Sequence, residues 1–295
     1  MRKPVFTGAG VAIVTPMNED FSVNYGKLSE LLDWQINNGT DAIIICGTTG
    51  ESSTLTHEEH TELIRYTVEH VNKRVPVVAG VGSNDTAYGI ELTKEAEAVG
   101  ADALLHVTPY YNKTSQAGLV KHFFACADAT TLPIILYNVP SRTGLNIQPK
   151  TYLQLCEHPN IVATKEAGGN ISEIAQTASL CGDKLDIYSG NDDQIVPLMS
   201  LGGIGVISVL SNIMPRETHD ICQLYLDGKT CASSALQLKL LDVANDIFID
   251  VNPIPIKAAL NLMGYGVGEC RLPLAPLSDS ALETLGATLK KHGLV

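Results

Sequence analysis

Short apolar runs rich in β-formers alternate along the chain with longer segments whose apolar residues recur at helical spacing. The first run, Gly10–Thr15, is followed by a helical pattern over Asn24–Asn37. Ala42–Cys46 precedes a helix starting near Thr56, where Thr56 and Glu59 have the spacing of a capping box. Pro76–Gly80 leads into Asp85–Val99, Ala103–Thr108 into Gln116–Asp128, and Pro133–Tyr137 into Lys150–Cys156. Ile161–Lys165 leads into Ile171–Leu180, Leu185–Ser189 into Ile195–Leu201, and Val206–Val209 into Glu217–Leu226. These are eight consecutive β–α units, and their strands are near-continuous apolar runs, as expected of parallel strands buried on both faces. The pattern predicts an α/β protein of the (βα)8 TIM-barrel class. A doubly wound sheet usually has fewer units and a glycine-rich phosphate turn, and no Gly-x-Gly-x-x-Gly follows the first run here.

After about Gly228 the strand signal stops. Ala232–Ile249, Ile256–Met263 and Ser280–His292 predict three more helices, with no Pro- or Ser-rich linker before them. The expected organisation is a catalytic barrel over residues 1–228 and a docked three-helix extension over residues 229–295, used for packing and subunit contact.

Composition narrows the class. With 295 residues, 45 % hydrophobic and only 18 % charged, the chain can bury a large core and has no stretch polar enough to stay disordered. No apolar run reaches the roughly 18 residues that span a bilayer. Arg2 and Lys3 are followed by Pro4 and Gly8, which interrupt any signal-peptide core. A cytoplasmic protein without a membrane partner is expected. The seven cysteines are odd in number and never form Cys-x-x-Cys, a reduced-compartment pattern without a zinc or disulfide framework. The net charge of −12 argues against nucleic acid, whose phosphates need clustered Lys and Arg. An anionic substrate would depend on a few local donors.

In a barrel of this kind the active site is built at the C-terminal ends of the strands. The polar residues closing each run are therefore the candidates. Lys165 closes Ile161-Val162-Ala163-Thr164, so the backbone carries it to the barrel mouth. A lysine held away from water favours its neutral form, which attacks carbonyl carbon. The competing reading is a lysine that snorkels to solvent or pairs with Glu166. Lys257, in Pro253-Ile254-Pro255-Ile256-Lys257, has similar apolar flanks but opens a helix beyond the barrel, where packing or an interface contact is expected. Tyr137 closes the neighbouring fifth strand, about 4.8 Å away. Its phenol is placed to move the protons that Schiff-base chemistry requires. Thr48 and Thr49 occupy a Gly-bounded turn whose N–H groups and hydroxyls suit a carboxylate, although Gly-Thr-Thr-Gly is also simply a good turn. Arg142, the one arginine near these strand ends, can fork onto a second carboxylate or make a loop salt bridge.

Gly47-Thr48-Thr49-Gly50-Glu51, Tyr137-Asn138-Val139-Pro140-Ser141-Arg142-Thr143-Gly144 and Lys165-Glu166-Ala167 resemble the pyruvate-dependent class I aldolase superfamily, and within it the dihydrodipicolinate synthase family. The resemblance runs from Gly8 to the C-terminus. It includes Val107-Thr108-Pro109-Tyr110-Tyr111, Gly205-Val206-Ile207-Ser208, Asn252-Pro253-Ile254-Pro255 and Arg271-Leu272-Pro273-Leu274. It implies condensation of pyruvate with L-aspartate 4-semialdehyde, the entry to lysine by the diaminopimelate route, with no metal or organic cofactor. On this resemblance Lys165 carries the pyruvate imine. Tyr137, Thr48 and Tyr111 form a proton relay, Tyr111 reaching in from a neighbouring subunit of a homodimer or homotetramer. Thr49 holds the pyruvate carboxylate through its N–H, Gly190 and Ile207 line the site through backbone groups, and Arg142 takes the carboxylate of the aldehyde. Relatives such as N-acetylneuraminate lyase share the lysine and tyrosine but usually carry Gly-Ser-Thr-Gly-Glu and lack the arginine. A non-catalytic binding protein on the same scaffold is the alternative from another class.

The resemblance also implies a lysine-binding regulatory site, partly present as Ser52, His57, His60, Asn84 and Tyr110. Ser53 stands where alanine is common, and Tyr88 where lysine-sensitive members often have glutamate. His57 and His60 without a third ligand make a weak metal motif, and otherwise read as an exposed helix face.

Overall fold

The structure is a computed structural model that describes residues 3–295. Among these residues eight strands close into a barrel in sequence order, β1-β2-β3-β4-β5-β6-β7-β8, every neighbour parallel and β1 paired back to β8. The strands are β1 (Gly8–Ala12), β2 (Ala42–Ile45), β3 (Val77–Gly80), β4 (Ala103–Val107), β5 (Ile134–Asn138), β6 (Ile161–Glu166), β7 (Asp186–Ser189) and β8 (Gly205–Ser208). The helices of the barrel are α1 (Tyr25–Asn37), α2 (His57–Val71), α3 (Thr86–Ala98), α4 (Gln116–Ala127), α5 (Pro140–Thr143), α6 (Pro149–Leu155), α7 (Ile171–Cys181), α8 (Ile195–Met199) and α9 (Pro215–Leu226). Beyond them lie α10 (Thr230–Lys239), α11 (Leu241–Asp246), α12 (Ile254–Leu262) and α13 (Asp279–Lys291). No helix of the described residues is long and apolar enough to cross a membrane.

Because strand side chains alternate between faces, parity decides what each strand residue touches. On β2, Ala42 and Ile44 pack into the barrel interior while Ile43 and Ile45 pack outward against the helices. On β5, Ile135 and Tyr137 point inward, and Ile134 and Leu136 outward. The interior is a core in its own right, containing Ala12, Val78, Leu105, Ala163 and Ile207. At its lower end the Phe6 ring stacks on Tyr188, 4.4 Å between centroids, and the Tyr188 hydroxyl donates to the Phe6 carbonyl at 2.6 Å.

The helix starts follow local chemistry. Asn24, Asp85 and Ser115 cap α1, α3 and α4, each side chain accepting a first-turn N–H. Thr56 and Glu59 form the expected capping box on α2.

Three expectations are corrected and one element is added. The first strand is Gly8–Ala12, not Gly10–Thr15: Ile13 N–H still donates to Ile44 O at 3.1 Å, but Val14 N–H goes to the side chain of Asn212. Ala232–Ile249 is not one helix. It breaks at Leu240 into α10 and α11, so the extension has four helices among the described residues. Gln237, one turn before the break, is drawn onto the barrel, accepting from Val196 N–H and donating to Asp193 O, both at 2.7 Å. The added element is α5, a single turn too short for periodicity to reveal. Pro140 begins it, and Gly144, at φ 66°, ends it. The last correction concerns His60, which is buried and not on an exposed face. Its Nε2 lies 2.7 Å from Gly80 O, and burial lowers its pKa.

Candidate active site

Parity sends Lys165 inward from β6, and β5 does the same with Tyr137. The two are register partners, Tyr137 opposite Lys165, on the rung next to Asn138 opposite Glu166. Lys165 is only 5 % exposed, and its Nζ lies 4.4 Å from the centroid of the Tyr137 ring. No hydrogen-bond acceptor or carboxylate partner holds that amine among the described residues. The alternative pairing with Glu166 does not occur. Glu166 faces the opposite side of the sheet, where its carboxylate accepts from Gly168 N–H, the Tyr152 hydroxyl and the Asn138 amide. Burial pushes the Glu166 acid up to about 7, opposed by those donors.

Gly190 closes against the amine from β7. A Cβ there would stand 3.1 Å from Lys165 Cε and 2.7 Å from the Ala167 methyl, so a side chain would crowd the lysine. Gly190 N–H donates to Glu166 O at 2.8 Å. Ile207 is fully buried in the barrel interior on β8. Next to it Asp192 accepts from Ser208 Oγ and from the N–H groups of Val209 and Leu210, both at 3.0 Å. Burial raises the Asp192 acid, and the bonds from Ser208, Leu210 and Val209 oppose that rise more than the charge of Lys165 does.

At the end of β2 the Gly-bounded turn is closed by Gly50 N–H to Gly47 O and Glu51 N–H to Thr48 O, each 3.1 Å. The N–H groups of Thr48 and Thr49 have no acceptor among the described residues, which leaves two donors for an anion. Thr49 Oγ1 accepts from Asn252 Nδ2 at 2.9 Å. Asn252 also receives Arg142, whose Nη2 donates to Asn252 O at 3.0 Å. Asn252 therefore links the turn to the arginine, a connection not legible in the strand-end pattern, although its Asn-Pro-Ile-Pro segment was part of the resemblance. Arg142 itself is exposed at the last turn of α5, which Thr143 anchors by accepting from Thr108 Oγ1 at 3.0 Å.

With Lys165 and Tyr137 adjacent in a closed barrel, the comparisons agree with the geometry. The chain matches the dihydrodipicolinate synthetase family over residues 5–292. It belongs to that family. A 4-hydroxy-tetrahydrodipicolinate synthase of Lachnoclostridium phytofermentans is 61 % identical over 292 residues, 99 % of each chain. One of Acetivibrio thermocellus is 57 % identical over 295 residues, 100 % of each chain. The crystal structure of chloride-inhibited dihydrodipicolinate synthase from Acinetobacter baumannii with pyruvate superposes with a TM-score of 0.96. That enzyme is 44 % identical, and the match covers 98 % of this chain and 99 % of that one.

Most residues of the expected lysine site fall in one cleft with two of the substrate-site candidates. A cleft of about 580 Å³ is lined by Thr48 and Arg142 together with Ser52, Asn84, Tyr88 and Tyr110. His57 is half-buried at its edge, with Nε2 3.0 Å from Glu95 Oε1 and Nδ1 3.4 Å from the Tyr88 hydroxyl. Potential metal-ligand atoms of His57, Glu91 and Glu95 lie within 4.8 Å of one another, and His60 is turned away from them to Gly80 O. Among the described residues no hydrogen bond joins Thr48 to the Lys165–Tyr137 pair, and none joins Tyr111. Tyr111 is 93 % exposed, with φ 69°.

Proposed function

We propose that this chain condenses pyruvate with L-aspartate 4-semialdehyde to give 4-hydroxy-tetrahydrodipicolinate, the activity in its full-length relatives' names. The observation that carries the reading is the unpaired, buried amine of Lys165 lying against Tyr137. Lys165 attacks the pyruvate keto carbon, and water leaves as the imine forms. Loss of a methyl proton gives the enamine, whose carbon adds to the aldehyde. The amine of the second substrate then displaces Lys165 and closes the ring.

Tyr137 moves the protons at the imine and enamine stages, in a relay with Thr48 and with Tyr111 from a second copy of the chain. The exposure and positive φ of Tyr111 suit a side chain held outward for a neighbour. The working assembly is therefore at least a homodimer, and a homotetramer is the other assembly that the resemblance implies. The free N–H of Thr49 holds the pyruvate carboxylate, Gly190 and Ile207 line the imine, and Arg142 receives the aldehyde's carboxylate. No step calls for a metal or organic cofactor. Residues up to 228 form the catalytic body, and those from 229 onward brace its mouth. The deciding assay compares pyruvate plus aspartate semialdehyde with pyruvate plus N-acetylmannosamine. Turnover of the first pair alone is expected; preference for the second would assign the site to a lyase of sialic-acid type.

A further inference from the structure

The residue after the reactive lysine is a buried carboxyl with no part in the chemistry above. Glu166 projects from the outer face of β6 into the layer between the sheet and α6. Gly168 N–H donates to its Oε1 at 2.8 Å, and the Tyr152 hydroxyl to its Oε2 at 2.9 Å. Asn138 Nδ2 lies 3.0 and 3.1 Å from the two oxygens. The chain of contacts continues outward. Asn138 Nδ2 also donates to Asn146 Oδ1 at 2.7 Å, and Asn138 Oδ1 accepts from Ile147 N–H at 3.1 Å. A Cβ at position 168 would lie 2.7 Å from Glu166 Oε1, so a side chain there would force the carboxyl to shift. Every group aimed at Glu166 is a donor, the arrangement of a site built for a carboxylate.

Asn138 and Glu166 are register partners on the rung directly beyond Tyr137 and Lys165. A contact that fixes the outer rung fixes the inner one, because a strand residue cannot turn without its neighbour. We propose that Glu166 is a positioning residue for the reaction: its ionised carboxylate clamps the ends of β5 and β6 so that Tyr137 faces Lys165, and protonation loosens the clamp. This rests on the reading of Lys165 as the imine lysine.

The groups facing Glu166 support a titrating clamp. From α6 comes the Tyr152 phenol, pushed well up by burial and so a donor throughout the working range. From α7 comes Glu173, which accepts from Asn146 Nδ2 at 2.8 Å and adds negative charge beyond the amides. Asn138, Asn146 and Thr164 are neutral, and Lys165 on the same strand faces the interior. Burial places the Glu166 acid at about 7. Protonation reverses the Tyr152 bond and turns the charge-assisted bonds from Gly168 and Asn138 into weaker neutral ones.

The test is the pH profile of kcat and of KM for pyruvate in the full-length wild type, Glu166→Gln and Glu166→Asp. Borohydride trapping of pyruvate runs alongside. Glutamine imitates the protonated acid, donating to Tyr152 while accepting from Gly168. Wild-type kcat should fall with an acid limb near 7. Glu166→Gln should run about tenfold below wild type at alkaline pH, the scale of one charge-assisted bond. It should have no such limb, and its KM should stay within about twofold. Glu166→Asp should recover a limb at a shifted midpoint. A Glu166→Gln protein with wild-type kcat and an intact limb would overturn the proposal. If that variant does not fold, an Asp variant with normal kcat and an unshifted limb does so equally. Failure of the wild type to trap pyruvate would instead defeat the imine reading, before any variant is compared.

Discussion

Lys165 is 5 % exposed and Lys257 1 % exposed, yet the two lysines sit in sites of opposite construction. Lys257, on α12, donates to Glu51 Oε1 at 2.8 Å, Thr15 O at 3.1 Å and Glu269 O at 2.6 Å. All three ammonium protons are taken by fixed acceptors. Glu51 is matched in turn, since Arg271 N–H donates to its second oxygen at 2.8 Å. That arrangement stores a charge and welds the extension to the turn after β2. Lys165 has an aromatic face where Lys257 has acceptors. Burial is common to both, so burial does not set the proposed nucleophile apart. The supply of acceptors does: an amine bound three times cannot turn toward a carbonyl carbon, and one bound by none can.

The contrast breaks first at Tyr137, the neighbour that only Lys165 has. Tyr137→Phe should still trap pyruvate, because the amine remains, but should lose roughly 10²–10⁴-fold in turnover. Steady-state rates near wild type would remove the phenol from the relay. At the other lysine, Lys257→Ala leaves Glu51 buried without its counter-charge, a loss of about 3–5 kcal/mol in denaturant unfolding. The fraction that stays folded should trap pyruvate as wild type does. Unchanged stability would mean that the ion pair is not structural.

Much of this was readable from the chain because it depends on local order. Alternation along β5 and β6 puts Tyr137 and Lys165 on one face, and adjacency of consecutive strands brings them together. The capping box at Thr56 is likewise a short-range device. What escaped was decided at long range. Glu51 and Lys257 are 206 residues apart, and periodicity carries no information about which helix returns to which turn. Asn252 reaches Thr49 from 203 residues away. The break at Leu240 reflects Gln237 being drawn to the barrel, and His60 is buried because Gly80 O lies above it. No hydrophobic pattern over a single helix encodes either contact.

Arg142 lies between the two regions, bonded to the segment that leads into α12. Arg142→Ala should raise KM for aspartate semialdehyde by the equivalent of about 1.5–3 kcal/mol and leave that for pyruvate nearly unchanged. Equal changes in both would make it a strut and not a substrate contact. A smaller effect is expected in the shared cleft. Tyr88 brings a hydroxyl where the resemblance implies a glutamate in lysine-sensitive members, and burial raises its pKa further from ionisation. Lysine should therefore inhibit the initial rate only above about a millimolar. Half-inhibition well below that would require another acceptor in the cleft.

Reductive trapping with peptide mapping sets the two lysines directly against each other. The protein is incubated with pyruvate and borohydride, digested, and the modified peptide identified by mass. One adduct, at Lys165, is the expected result, and Lys165→Ala should abolish it. An adduct at Lys257, or trapping that survives Lys165→Ala, would contradict the account.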